Sequence, residues 1–180
     1  MNLIVCIDNN YGIGFDNNIL FKISNDLNHF KNLTIGNIVV MGYNTLISLP
    51  NGKPLKDRTN IILTKKDITI NGAIVVNSIQ ELFDTLKKYT SKDIFVIGGE
   101  QIYKQLLDYC KFAYVTKVNK STNANKFAPN LDKNQNWKQI KISDKHFDGN
   151  LEYVFTIYKN LNPKKYIEVE IYTKLHNCYF

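Results

Sequence analysis

The feature that most restricts this chain is a series of short apolar runs, several of them apolar throughout rather than alternating. Residues 3–7, 37–41, 60–64, 73–76, 94–97 and 112–118 are rich in Ile, Val and Phe. Runs of that length read as strands. Strands apolar toward both faces need cover on both sides, as in a mostly parallel sheet. Helical patterns fall between them. Leu27, Phe30 and Leu33 recur at three-residue spacing behind Ser24, which reads as the cap of a helix running to about Leu33. Ser78 and Glu81 have capping-box spacing, and Ile79, Leu82, Phe83, Leu86 and Tyr89 form the stripe of the helix they open. Residues 101–109 read as a further helix. Strand, helix, strand order of this kind argues α/β.

The last third has a different pattern. Residues 137–143 and 151–159 read as two antiparallel strands joined through Asp148-Gly149 and its neighbours. The polar stretch between Val118 and Trp137 reads as loop. Over residues 166–173, Ile167, Val169 and Ile171 alternate with Glu168, Glu170 and Tyr172, a strand pattern.

A chain of 180 residues without repeats or a long linker suits one domain with one core. The apolar runs are far shorter than the roughly 20 residues of a spanning helix. The first run is cut off by Asp8 and has no small-residue cleavage site behind it. A cytoplasmic protein without a membrane partner is expected. Cys6, Cys110 and Cys178 are far apart, so neither a disulfide framework nor a metal site is expected; His29, His146 and His176 are equally scattered. The net charge is +7, but the lysines are spread along the chain, as in Lys65-Lys66 and Lys87-Lys88. That distribution disfavours nucleic acid and suits solubility and attraction of small polyanions.

Local motifs are individually modest. Gly12-Ile13-Gly14 reads as a tight turn. Gly98-Gly99, at the end of an apolar strand and before a helix, reads either as a structural turn or as a place where backbone approaches phosphates. The G-x-G-x-x-G pattern of an ordinary dinucleotide-binding domain is absent. Asp26 follows the Ser24 cap and admits two readings. It is a helix-start carboxylate favoured by the dipole, or a carboxyl group among Phe21, Leu27 and Phe30, where desolvation favours the neutral acid.

The order of motifs resembles the dihydrofolate reductase family over residues 2–159. The matching pieces are Gly12-Ile13-Gly14, Asn17 to Leu20, Asp26-Leu27 with Phe30-Lys31, and Val40-Met41-Gly42 with Thr45. Then come Ser48-Leu49-Pro50, Pro54-Leu55, Arg58 before Asn60-Ile61-Ile62-Leu63-Thr64, Ile97-Gly98-Gly99 with Tyr103, and Tyr114 with Thr116. The resemblance implies a three-layer α/β fold with a mostly parallel central sheet of about eight strands, an antiparallel C-terminal end and flanking helices. It implies NADPH-dependent reduction of 7,8-dihydrofolate, with hydride passing to C6 and a proton to N5.

By the same resemblance, Asp26 is the acid that binds the pteridine edge, Thr116 supports it, and Phe21 is the aromatic neighbour of the catalytic pair. Ile4, Val5, Leu27, Phe30, Leu49, Leu55, Ile97 and Tyr103 surround the substrate, and Arg58 holds its α-carboxylate, a group that a guanidinium fork binds bidentately. Cys6, Ile13, Gly14, Asn17, Ile19, Gly42, Tyr43, Asn44, Thr45, Leu63, Thr64, Lys65, Gly98, Gly99, Gln101, Ile102 and Tyr103 match cofactor positions. The family's Gly-Gly bond is cis, which carries over to Gly98-Gly99 as an expectation. A related fold serves pyrimidine reductases of riboflavin synthesis; Asp26, Arg58 and Ser48-Leu49-Pro50 favour folate.

Three features depart from the family pattern. Leu20-Phe21 stands where Pro-Trp is usual, which removes an indole N–H and implies a mobile loop with slower hydride transfer. Tyr43 stands where an arginine often helps hold the 2′-phosphate, and Lys65 is the candidate replacement for its charge. Residues 160–180 extend past the family's end and are expected to add a strand. A monomer is expected, with this extension the place where two subunits would pair.

Overall fold

The computed structural model describes residues 1–89 and 93–166. The chain opens with β1 (Asn2–Ile7), a hairpin of β2 (Gly12–Phe15) and β3 (Asn18–Ile19), and helix α1 (Ser24–Thr34). Strand β4 (Ile38–Gly42) leads directly into α2 (Tyr43–Ser48), and β5 (Thr59–Leu63) and β6 (Ala73–Val76) precede α3 (Ile79–Leu86). Strand β7 (Ile94–Gly98) feeds α4 (Glu100–Leu106), after which come β8 (Phe112–Val118), β9 (Lys126–Phe127), β10 (Trp137–Ile142), β11 (His146–Asp148) and β12 (Leu151–Asn160).

One sheet holds nine strands in the order β10-β12-β8-β1-β7-β4-β5-β6, with β11 pairing β12 beside this path. From β8 to β6 every pairing is parallel, whereas β12 runs antiparallel to β8, β10 and β11. The expected parallel sheet with an antiparallel end is the observed one. Its apolar runs are explained by position: Ile38, Val39, Val40 and Met41 lie between β7 and β5 and are fully buried. Strand β10, at the edge, buries Trp137 and exposes Lys138, Gln139 and Lys141, charged and polar side chains that discourage edge-to-edge pairing.

Several local expectations change. Gly12–Phe15 is a strand rather than a plain turn, paired to β3 and, across the stretch expected to be loop, to β9. The loop is fixed by Asp8, 2% exposed, whose carboxylate accepts from the backbone N–H of Asn10 (2.8 Å), Gly12 (2.7 Å) and Thr122 (2.9 Å) and from the Thr122 hydroxyl (2.7 Å). A Cβ on Gly12 would lie 2.5 Å from that of Ala124, so only glycine fits. The two C-terminal strands do pair, but β11 stands between them in sequence and forms its own hairpin with β12 through Asp148↔Leu151. The Ser78 cap is as expected, accepting from the Glu81 N–H at 3.1 Å; the Glu81 carboxylate accepts in return from the N–H of Asn77, one residue before the cap.

Helix α1 departs furthest from its sequence pattern. Its N-cap is Ile23, not Ser24, and no local side chain caps it. Instead the Asp148 carboxylate of β11 accepts from the Ser24 N–H at 3.2 Å, and Asn25 donates to the Tyr153 hydroxyl of β12 at 3.2 Å. The stripe of Leu27, Phe30 and Leu33 is not a core face, since Thr34 is the buried residue of the helix and Leu27 is 47% exposed. Sequence periodicity cannot tell an apolar face that meets a core from one that stays partly exposed.

The expected strand over residues 166–173 lies outside the described residues except for Tyr166, whose ring packs on Phe83 of α3 at 5.4 Å.

Candidate active site

The parallel strands all present their carboxyl ends at one edge of the sheet, where open α/β sheets bind ligands. Strands β8, β1, β7, β4 and β5 are successive neighbours there. Thr116, Cys6, Ile97, Gly98, Gly42 and Leu63 sit at or near those ends, with Met41 in register with Gly98 and Gly42 with Leu63. Helix α1 lays Asp26 across the β1–β8 pair.

Asp26 Oδ1 accepts a 2.6 Å hydrogen bond from the hydroxyl of Thr116, itself 3% exposed. Burial pushes the Asp26 carboxyl pKa up, and the hydrogen bond from Thr116, the nearby His29 and the Cys6 thiol pull against that shift without cancelling it. Burial is the largest influence on this carboxyl group and favours its neutral form. His29, one turn along α1, has its pKa lowered by burial, opposed by Asp26, and its ring packs on Phe155 at 4.5 Å. Phe21 and Cys6 pack together against Ile23, Val118 and Tyr153.

A second cluster forms the outer wall. Leu49, Leu55, Ile97 and Tyr43 pack against Val39, Met41, Leu46 and Ile62. Arg58 lies 5.8 Å from the centre of the Phe30 ring; its Nε donates to Thr34 Oγ1 and its Nη1 to the Lys56 carbonyl, each at 2.8 Å. The guanidinium is thus oriented by two bonds, with further N–H groups left over for a ligand. Asn60, 3% exposed, fixes the same loop. Its amide accepts from the Leu55 N–H (2.9 Å) and donates to the carbonyls of Leu55 (2.9 Å) and Arg58 (3.1 Å). No sequence feature signalled a site role for Thr34 or His29. For Asn60 the available sign was an amide side chain opening an otherwise apolar strand.

The remaining candidates lie on or next to β1, β7, β4 and β5, helices α2 and α4, and the β2–β3 hairpin. Ile4 and Val5 are buried on β1, and the Tyr103 hydroxyl donates to the Ile4 carbonyl at 2.8 Å. The Gly98-Gly99 bond is cis. Gly98 has φ 111°, and a Cβ there would be 3.0 Å from the Tyr103 ring; one on Gly99 would be 3.2 Å from Thr45 Oγ1, and one on Gly42 3.0 Å from Ile102. These contacts let β7, α2 and α4 approach through bare backbone. Ile13 is half-buried against the core, while Asn17 and Ile19 stand exposed on the β2–β3 hairpin with Gly14 at its base. Asn44, Gln101 and Lys65 are exposed at the outer end. Lys66, next to Lys65, has its ammonium over the Tyr43 ring at 4.0 Å. Asn77 holds this turn by donating to the carbonyls of Thr64 (2.9 Å) and Lys66 (3.1 Å).

The arrangement places a partly desolvated carboxyl group and the bare backbone of Gly98-Gly99 near the carboxyl ends of the parallel strands, with the cations Arg58 beside Phe30 and Lys66 over Tyr43. Comparison with known proteins agrees with this reading. A family model described as dihydrofolate reductase matches residues 1–160. The dihydrofolate reductase of Bacillus subtilis is 32% identical over 168 residues, covering 92% of this chain and 97% of that protein. That of Staphylococcus haemolyticus is 34% identical over 166 residues, covering 89% and 96%. The bifunctional dihydrofolate reductase-thymidylate synthase of Paramecium tetraurelia is 30% identical over 176 residues, covering 93% of this chain and 37% of that protein.

Proposed function

The chain belongs to the dihydrofolate reductase family, oxidoreductases that reduce dihydrofolate to tetrahydrofolate, and from that premise we propose that Asp26 is the acid of this reaction and NADPH its reductant. The observation that carries the assignment is the Asp26 carboxyl group, partly buried and held by Thr116 at 2.6 Å. One carboxylate oxygen is engaged by Thr116, which leaves the other toward the paired N–H groups of a pteridine edge, a match for carboxylate geometry. The raised pKa of Asp26 keeps the acid partly protonated closer to neutral pH, the condition for passing a proton toward N5. Phe21 closes the site against water. Ile4, Val5, Leu27, Phe30, Leu49, Leu55, Ile97 and Tyr103 hold the pteridine and benzoyl groups, and Arg58 binds the substrate's α-carboxylate.

The residues present fit NADPH. Gly98 and Gly99 leave bare backbone where a Cβ would strike Tyr103 or Thr45, and the exposed Lys65 and Lys66 follow the carboxyl end of β5. Cys6, Ile13, Gly14, Asn17, Ile19, Gly42, Tyr43, Asn44, Thr45, Leu63, Thr64, Gln101 and Ile102 would hold the cofactor, with Lys65 offering charge to its 2′-phosphate. NADPH supplies the hydride; the protein aligns the two rings and excludes solvent. Residues 1–159 form the catalytic unit, a monomer in the cytoplasm, with 160–180 as an extension. Among the described residues no helix is long and apolar enough to cross a membrane.

The test is dihydrofolate-dependent loss of NADPH absorbance by the purified chain and by Asp26→Asn. Full activity in Asp26→Asn would overturn the assignment of the acid. Equal rates with NADPH and NADH in the wild type would overturn the cofactor assignment, and Lys65→Ala should narrow any preference for NADPH.

A further inference from the structure

Cys6 has a neighbour that gives its thiol a task. Strands β1 and β8 are parallel, and Cys6 is in register with Thr116. Residues in register on adjacent strands direct their side chains to the same face. Thr116 points at Asp26, to which it donates at 2.6 Å, so the Cys6 side chain emerges beside it toward the same carboxylate. Cys6 is a free, half-buried cysteine, and the Asp26 carboxylate acts on its thiol by raising its pKa. We propose that Cys6 is a positioning residue of the reaction, its S–H a second hydrogen-bond donor that works with Thr116 to orient Asp26.

The inference rests on the reading of Asp26 as the acid and extends it. A thiol in this place is held in the protonated form, since burial and the adjacent Asp26 carboxylate both push the Cys6 pKa well up. The same two causes make it a poor nucleophile and a lasting donor. With Thr116 already on Oδ1, a second donor restricts rotation of the carboxylate and favours its anion. Among the described residues the titratable groups that act on Asp26 are Cys6 from β1 and His29 from α1, while Tyr103 of α4 is influenced by both Cys6 and Asp26. A protonated His29 favours the Asp26 anion as Cys6 does, so the two contributions are separated by substitution.

The experiment is the pH profile of kcat for wild type, Cys6→Ala and Cys6→Ser, each repeated in His29→Gln. Turnover that depends on the protonated acid falls as pH rises through the apparent pKa of Asp26. Cys6→Ala removes a donor to the anion, so this limb should move to higher pH. The rate retained on its alkaline side, relative to the plateau, should rise roughly twofold, the effect of a hydrogen bond at the weak end of the usual range. Cys6→Ser keeps a donor and should return the limb to the wild-type position or below it. An unmoved limb in Cys6→Ala, or equal shifts in Ala and Ser, would overturn the proposal, the second outcome because it marks packing rather than hydrogen bonding. Alkylation by iodoacetamide, followed at the Cys6 peptide, reads the same contact without turnover. It should be faster in Asp26→Asn, where the neighbouring charge is gone; an unchanged rate would overturn the coupling. If Asp26→Asn kept full activity, the reading of the acid would fall, while the alkylation rate would still decide whether thiol and carboxylate interact.

Discussion

Replacing Asn60 with alanine should weaken substrate binding without touching the reacting end of the site. The Asn60 side chain makes three hydrogen bonds, to the Leu55 N–H, the Leu55 carbonyl and the Arg58 carbonyl. Neutral hydrogen bonds contribute about 0.5–1.5 kcal/mol each in net terms. The amide is 3% exposed, so water cannot replace it in place, but Leu55 and Arg58 are only half-buried and their backbone can recover some hydration. The loss is therefore about 2–3 kcal/mol, which lowers Tm by roughly 4–12 °C in a domain of this size. The loop freed by the change carries Leu55 and Arg58. Half of that energy lost from binding would raise KM for dihydrofolate about tenfold, with kcat little altered because Asp26 and Thr116 belong to other elements. Steady-state kinetics should be run with dihydrofolate and with an analogue lacking the glutamate tail, alongside a thermal melt. The KM increase should be much smaller for the analogue, which offers Arg58 no carboxylate. A lowered Tm with equal KM ratios for both substrates, or a fall in kcat alone, would refute the role of Asn60 in positioning Arg58.

Asp26→Asn should lower kcat by about two to four orders of magnitude, the usual contribution of a positioned acid, and should also stabilise the fold at neutral pH. The native carboxyl holds its proton more tightly than the unfolded chain does, so its ionisation penalises the native state. That penalty is absent below the unfolded value of about 3.9 and grows as pH rises through the native one; urea unfolding should show the gain at pH 7 and none in acid, and a loss at pH 7 would contradict this sign. Asp8 works oppositely: burial pushes its pKa up, but hydrogen bonds from Thr122, Gly12 and Asn10 outweigh burial and leave it lowered. Its stabilisation is complete above about pH 4 and is lost as pH falls through the native value, so Asp8→Ala should cost about 2–4 kcal/mol near neutrality and less in acid by urea unfolding; a pH-independent cost would contradict the linkage. Phe21→Trp should raise turnover by restoring an indole N–H beside the acid, and stopped-flow hydride transfer that is unchanged or slower would sink that idea.

Much of this architecture was legible because it depends on local patterning. Strands flanked on both sides must be apolar on both faces, so β4 and β5 announced themselves, and the order of strands and helices led to a parallel sheet. Asp26, Arg58 and Gly98-Gly99 were legible through the ordered motifs of a family. The attachment of α1 was not. Its cap is Asp148, contributed by a strand far along the chain, and its apolar stripe stays partly exposed instead of entering the core. Asn60 likewise looked like the first residue of a strand, because its hydrogen-bonding targets are backbone groups whose positions exist only after folding. The sequence by itself determined the layers and the sheet, and its ordered family motifs singled out Asp26 as the candidate acid. Tertiary structure alone decided that acid's surroundings, because burial, the Thr116 hydrogen bond and the Cys6 and His29 contacts join groups from three separate elements. Proton affinity depends on distance and solvent exclusion, and the linear order of residues carries neither.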